Sequence, residues 1–262
     1  KYGGGSLRGA KPPSSTKIDH VRRSRPIGSG AGLLTQRNPN AKVRPVLQKL
    51  LSETIGSAFL LISIVGSGIM ATNLTEDVAL ALLANAIATG CALYFIITTL
   101  GPVSGGHFNP IVTLMFRLRG GITTNRATGY IVVQIVGGIL GVWACHIMFD
   151  QPVLQLATTQ RTGIALWFSE TLSTFGLLFV ILMGLKSRPD AVPTLVALYV
   201  TGAYWFTSSS GFANPTVTIA RSLTDTFSGI APLDVPAYLI AQMIGLAITL
   251  GVLPILLRKP TP

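Results

Sequence analysis

Six stretches of this chain are apolar over the length that a membrane demands. A helix needs about 20 mostly apolar residues to cross the hydrocarbon of a bilayer. Of the 262 residues, 49% are hydrophobic and only 11% are charged, which is a far smaller charged share than soluble domains carry. We therefore predict an all-α membrane protein with six transmembrane helices, at residues 49–70, 79–99, 127–149, 163–185, 191–208 and 235–257.

The first 45 residues differ in composition from the rest of the chain. Ten of the twenty Lys and Arg residues fall in 1–45 with a single acid, Asp19, in a background rich in Gly, Pro and Ser. Such a segment cannot bury enough apolar surface to fold alone, so we predict a disordered basic tail at 1–45 and a folded domain at 46–262. A basic tail can contact an anionic membrane surface, bind nucleic acid or act as an organellar transit peptide. Because the charge is local and lacks interleaved aromatics, we favour the membrane surface and expect no nucleic-acid partner.

The remaining charges predict how the chain is oriented in the bilayer. Lys and Arg residues of short loops stay on the cytoplasmic side. Seven basic residues fall on the same predicted side as the basic tail; they are Arg117, Arg119, Arg126, Lys186, Arg188, Arg258 and Lys259. The opposite loops are biased towards acids. Both termini are therefore predicted to be cytoplasmic.

The chain is an internal repeat of two halves, at about 46–150 and about 160–258. Three landmarks recur in the same order: a Ser-Glu-Thr triplet, an Asn-Pro pair and a Gln, which begin at Ser52, Asn109 and Gln134 and again at Ser169, Asn214 and Gln242. Each half carries three predicted spans. Because three is odd, the second half enters the membrane upside down, which is the inverted-repeat design that places a site at the bilayer midplane.

The Asn-Pro pairs belong to a longer duplicated box, Gly-x-x-Asn-Pro-x-Val-Thr, at 106–113 and 211–218. Asn is a favoured helix N-cap, Pro is favoured in the first helical turn, and each apolar run that follows is too short to cross a membrane. We predict two re-entrant half-helices that meet tip to tip. The predicted pore centre consists of Asn109, Pro110, Ile111, Asn214, Pro215 and Thr216.

Two acids, Glu53 and Glu170, lie at equivalent positions of the first and fourth spans. A carboxylate in hydrocarbon is costly and is usually paired or functional. A proton relay would explain them, but their duplication favours a supporting role, in which each accepts backbone N–H groups of a re-entrant loop. His107 is likewise predicted to support its loop, although it is also the one candidate base for an intramembrane hydrolase. The histidines and cysteines show no metal-ligand spacing, so we predict no metal and no cofactor.

Six spans with paired Glu-Thr and Asn-Pro motifs resemble the aquaporin and aquaglyceroporin family over about 48–258. Family boxes usually read Asn-Pro-Ala, whereas Ile111 and Thr216 stand in place of the Ala here. The resemblance implies a six-helix channel with two half-helices that is not an enzyme. It also implies a homotetramer in the bilayer of the cell (inner) membrane.

The family's selectivity filter normally includes an Arg three residues after the second Asn, where this chain has Val217. By the family's spacing, the other filter positions fall on Thr89, Gly202 and either Gly211 or Phe212. These residues imply a wide, weakly polar filter. Arg221 follows Val217 by one helical turn, so its guanidinium is a candidate substitute at the outer mouth. The alternatives are that it reaches the headgroups or pairs with Asp225.

The second box and its Val resemble bacterial family members associated with arsenic-resistance genes. That resemblance implies passive passage of small uncharged solutes, namely water, glycerol-like polyols and arsenous acid or related metalloid hydroxides. The sequence contains no nucleotide-binding loop that would indicate energy-coupled transport. The alternative is a non-conducting structural or adhesion protein of the same fold.

Overall fold

The structure is a computed structural model that describes residues 40–257. The described part is built from helices and their connections, without strands. Its eight α-helices are α1 (Asn40–Leu74), α2 (Val78–Ser104), α3 (Pro110–Leu118), α4 (Thr124–Met148), α5 (Ile164–Ser187), α6 (Val192–Phe206), α7 (Pro215–Arg221) and α8 (Val235–Leu257). The predicted all-α fold, in which two short half-helices accompany longer apolar helices, is confirmed.

Each predicted span coincides with a helix, but the ends and lengths differ. Helix α1 begins at Asn40, so it starts before the predicted domain boundary at residue 46. Five of the described helices are long and apolar enough to cross a membrane. Helix α6 has 15 residues, or about 22 Å at 1.5 Å per residue, and a short 3₁₀ turn at Pro189–Ala191 precedes it. The predicted disordered tail falls mostly on residues 1–39, which lie outside the described residues.

The two half-helices begin as the duplicated box predicts. Asn109 is the N-cap of α3 and Asn214 the N-cap of α7, both with extended backbone, and Pro occupies the first turn of each helix. The side chain of Asn109 accepts a hydrogen bond from the backbone N–H of Ile111 at 2.9 Å. Asn214 does the same for Thr216 at 2.9 Å. These bonds satisfy N–H groups that a helix start leaves without partners.

The helices of the two halves pack in corresponding ways. In the first half α1 contacts α2 and α4, and in the second half α5 contacts α6 and α8. Further contacts join the halves: α1 with α7, α2 with α6, α3 with α7, α3 with α8 and α4 with α7. Each half-helix is therefore held by the last long helix of both halves, which places the two helix starts at the centre of the molecule.

Glycines allow the long helices of each half to approach closely. A Cβ on Gly137 of α4 would overlap the carbonyl oxygen of Thr54, and a Cβ on Gly141 would overlap that of Ala58. In the second half a Cβ on Gly245 of α8 would lie 2.7 Å from the carbonyl oxygen of Thr171. Such small residues are typical of tightly packed membrane helices.

Candidate functional site

The two half-helices meet through a reciprocal pair of hydrogen bonds. The Asn109 side-chain amide donates to the carbonyl oxygen of Ala213 at 2.8 Å. The Asn214 amide donates to the carbonyl oxygen of Phe108 at 3.0 Å. Each amide therefore commits one of its two hydrogens to the opposite loop. The reciprocal contact needs both halves together, so neither box alone could predict it.

The loops that lead into the half-helices repeat the same unusual backbone. Gly106 and Gly211 have φ of 64° and 60°, a region that glycine adopts without steric cost. Phe108 and Ala213, the residues before each Asn, have φ of 45° and 46°. A side chain disfavours this conformation, so surrounding contacts must maintain it.

Glu53 and Glu170 supply those contacts. The Glu53 carboxylate accepts from the backbone N–H groups of His107 at 3.0 Å and Phe108 at 2.7 Å. The Glu170 carboxylate accepts from the corresponding groups of Phe212 at 3.2 Å and Ala213 at 2.5 Å. Both side chains are fully buried. Each acid therefore holds the strained residue that precedes its Asn.

A Gln and a Thr extend each of these connections to the half-helix. Gln134 donates to Glu53 at 2.7 Å and to the Thr113 hydroxyl at 3.0 Å, and that hydroxyl donates to the Asn109 carbonyl at 3.1 Å. The second half repeats the chain of bonds with the equivalent residues Glu170, Gln242, Thr218 and Asn214. We did not assign Gln and Thr a role from the sequence, although their duplication was the available signal.

His107 packs as part of the first loop. Its Nδ1 lies 3.0 Å from the Thr113 hydroxyl. Its ring stacks on Phe116 with centroids 4.8 Å apart and meets the edge of Tyr130 at 5.4 Å. These contacts hold the loop against α3 and α4.

A cavity of about 120 Å³ runs past both Asn side chains. On one side it is lined by the re-entrant loops, including Gly105, Gly106 and Ser210, and on the other by apolar side chains of α1, α2, α5 and α6. The passage therefore offers polar groups along one wall and aliphatic groups along the opposite wall. Ligand-conducting and ligand-binding cavities share this combination of few polar groups on an apolar surface.

Two of the residues predicted at the pore centre point elsewhere. Ile111 and Thr216 are fully buried, and neither lines the cavity. A Cβ on Gly138 of α4 would meet the Thr216 methyl group at 2.5 Å, which shows that this side chain packs into the helix interface. Pro110 and Pro215 start their helices and do not line the cavity either.

The cavity is also lined by four of the predicted filter residues, namely Thr89, Gly211, Phe212 and Val217. Gly202, also predicted in the filter, does not line the cavity, and a Cβ there would meet Phe206 instead. Gly202 is two residues from both Val200 and Tyr204, so it faces the opposite side of α6 from them; the lining residues follow a four-residue spacing. They are Val192, Val196, Val200 and Tyr204.

Tyr204 makes the lining less open than the expected set of small side chains. Its hydroxyl lies 3.0 Å from the Thr89 hydroxyl, which itself donates to the Asn85 carbonyl. The Tyr204 side chain thus occupies the part of the cavity wall to which the family's spacing assigned Gly202. The family's residue count did not predict the rotation of this short helix.

Arg221 also lines the cavity, and only 3% of its surface is exposed. Its guanidinium carbon lies 3.6 Å from the centre of the Phe212 ring, and its Nε donates to the Ser228 carbonyl. The Asp225 carboxylate instead accepts from the N–H and hydroxyl of Thr158. Arg221 therefore neither reaches the headgroups nor pairs with Asp225.

A second arginine, Arg161, approaches the same phenyl ring from the loop between the halves. Its guanidinium carbon lies 5.4 Å from the centre of the Phe212 ring, and its Nε donates to the Gly229 carbonyl at 2.8 Å. Burial lowers the pKa of Arg161 from its ordinary value. On the surface of these loops, the Thr158 backbone and hydroxyl hydrogen bonds lower the pKa of Asp225.

Comparison with known families identifies this architecture. A family model described as "Major intrinsic protein" matches residues 40–207. The chain belongs to the major intrinsic protein family. It is therefore a multi-pass membrane protein, and major intrinsic proteins are generally channels rather than enzymes.

Individual major intrinsic proteins resemble the chain to different extents. An aquaglyceroporin, AqpS, of Rhizobium meliloti is 47% identical over 215 residues, which cover 82% of this chain and 92% of that protein. Aquaporin NIP1-2 of Arabidopsis thaliana is 32% identical over 60% of this chain and 55% of its own length. The X-ray structure of the aquaglyceroporin from Plasmodium falciparum matches with a TM-score of 0.56 at 18% identity, over 78% of this chain and 93% of that one, and it supports the fold alone.

Proposed function

We propose that the chain is a passive transmembrane channel for small uncharged solutes, namely water, glycerol-like polyols and arsenous acid or related metalloid hydroxides. The observation that carries the proposal is the cavity that passes Asn109 and Asn214, where the two half-helices meet. The similarity to an aquaglyceroporin and the Val at position 217 support the same solute class.

A neutral hydroxylated solute would exchange its water contacts along the polar wall at little cost. Each Asn amide has a second hydrogen besides the one donated to the opposite loop, and this hydrogen can be offered to a solute oxygen. The aliphatic wall of α5 and α6 would face the carbon side of a polyol. Selectivity in such a pore follows from diameter, lining donors and electrostatic barriers.

A cation would meet a barrier at the same place. Each half-helix start carries about half a positive elementary charge, and the two starts face each other across the Asn contact. At the outer mouth Arg221 adds a full charge to the wall. A cation that enters loses hydration and meets repulsion at both levels, so we infer that flux is confined to neutral molecules.

We further infer that the channel domain consists of two inverted halves, that both termini are cytoplasmic, and that the protein is a homotetramer in the cell (inner) membrane. The positions of the basic loop residues support the orientation. The tetramer and the membrane rest on the family resemblance.

Proteoliposome permeability of wild type and Val217→Arg tests the proposed function. Val217 is 3% exposed and lines the cavity, so an Arg there adds bulk and charge beside Arg221. We expect wild-type vesicles to pass water, glycerol and arsenous acid while staying proton-tight. The variant should lose at least about tenfold in glycerol flux, equivalent to a barrier higher by about 1.4 kcal/mol, and less in water flux. Vesicles no more permeable than empty ones would instead support the non-conducting adhesion protein.

A further inference from the structure

The outer mouth of the passage contains a buried positive charge that forms no salt bridge within the described residues. Arg221 is almost fully buried, and within residues 40–257 the one ion pair joins Arg188 to Asp190. The neighbouring acids have other hydrogen-bond partners. Asp225 accepts from Thr158, and Asp234 accepts from the backbone N–H of Arg161 at 2.6 Å. Glu170, whose charge acts on both arginines, accepts from Phe212, Ala213 and Gln242.

Each guanidinium near Phe212 is fixed through one nitrogen. The Nε atoms of Arg221 and Arg161 donate to the successive carbonyls of Ser228 and Gly229. Ser228 is itself anchored, since its hydroxyl donates to the Ile64 carbonyl of α1 at 3.0 Å. The η nitrogens of both arginines make no hydrogen bond to protein within the described residues. The η N–H groups are therefore held in place without a protein acceptor among the described residues.

Phe212 brings the two charges together. Arg221 lies 3.6 Å and Arg161 5.4 Å from the centre of its ring. A phenyl face attracts a guanidinium but does not neutralise it. Two like charges near one ring repel each other, and burial without a partner raises their cost. A small anion at this point would offset both effects.

We propose that the outer mouth binds a small monovalent carboxylate or related oxyanion through the η nitrogens of Arg221, with Arg161 adding the second positive charge. Guanidinium groups present planar pairs of donors that match the oxygens of such anions. Because Arg221 lines the passage, an anion bound there obstructs the path of neutral solutes. This regulation rests on the proposed function, since it requires a conducting passage.

Formate is a suitable probe because it is the smallest carboxylate. Vesicles containing the full chain are loaded with sodium formate on both sides, and glycerol flux is measured by stopped-flow light scattering. Wild-type flux should fall about twofold when the formate concentration equals its dissociation constant, because half of the mouths are then occupied. Arg221→Gln should abolish the effect of formate. Arg161→Gln should raise the half-inhibitory concentration severalfold.

Arg188→Gln is the matched control, because Arg188 forms an exposed pair with Asp190 and does not line the cavity. This variant should respond to formate as wild type does, which separates binding from general effects of salt. The proposal is overturned if wild-type glycerol flux is unchanged up to about 0.1 M formate, where the Debye length is still about 10 Å. It is also overturned if Arg188→Gln loses the response as Arg221→Gln does.

Calorimetric titration of formate into the detergent-purified full chain keeps the test independent of conduction and of variant folding. Heat of binding that saturates in wild type and is weakened in Arg161→Gln supports the anion site. No saturable binding to wild type overturns it. If wild-type vesicles do not conduct glycerol at all, the proposed function fails, and the calorimetric result alone decides the anion site.

Discussion

Replacing Glu170 by Ala is expected to destabilise the protein by at least about 3 kcal/mol. The carboxylate accepts from the backbone N–H groups of Phe212 and Ala213 and from the side chain of Gln242. The Ala variant leaves these buried donors without an acceptor, at about 1–3 kcal/mol each. It also releases the positive-φ residue Ala213, so the second half-helix loses its position and solute flux falls with stability.

Unfolding of the detergent-purified protein, followed by tryptophan fluorescence during denaturant titration, measures this change. Glu170→Gln keeps the size and one acceptor oxygen, so it should lie between wild type and Glu170→Ala. Glu76→Ala is the control because Glu76 is exposed, and it should change stability by no more than about 0.5 kcal/mol. A stable Glu170→Ala protein with wild-type flux would contradict the role of this acid.

Replacing Gly141 by Leu should prevent α1 and α4 from packing. A Cβ at this position would overlap the backbone carbonyl of Ala58, and backbone cannot move aside as a flexible side chain can. The helices would have to separate, so packing along their shared interface would be lost. We expect a cost above about 3 kcal/mol, larger than ordinary overpacking of a core, and little folded protein in detergent.

Gly251→Leu provides the comparison for this prediction. A Cβ on Gly251 of α8 would meet no atom within 4 Å, so the same substitution should leave folding unaffected. Gel-filtration profiles and melting temperatures of both variants measure the difference. A well-folded Gly141→Leu protein would show that α1 and α4 are not held as closely as the structure indicates.

Much of the fold could be predicted from the sequence because its signals are local and duplicated. The apolar stretches define the long helices, and the Asn-Pro boxes combine an N-cap with a first-turn Pro, so they predict where α3 and α7 begin. Glu53 and Glu170 were interpretable because each occurs once per half at the same place. Duplication constrained these predictions more strongly than composition did.

The predictions that differ from the structure depend on rotation and on contacts between the halves. Gly202 was placed by counting residues, whereas the rotation of α6 presents Tyr204 to the passage. The cross-bonds of Asn109 and Asn214 join residues more than one hundred positions apart. Arg161 comes from a connecting loop that carries no motif, so its approach to Phe212 had no sequence signal.

The central claim is that solutes move through the cavity beside the two Asn residues, and substitution along α6 tests it most directly. Val196 is 5% exposed and lines the cavity, whereas Leu198 on the same helix is 65% exposed and does not. Glycerol permeability is measured for vesicles with equal amounts of folded Val196→Trp and Leu198→Trp protein. The account predicts that Val196→Trp lowers permeability to that of empty vesicles while Leu198→Trp conducts as wild type does. Wild-type glycerol flux through Val196→Trp would contradict it.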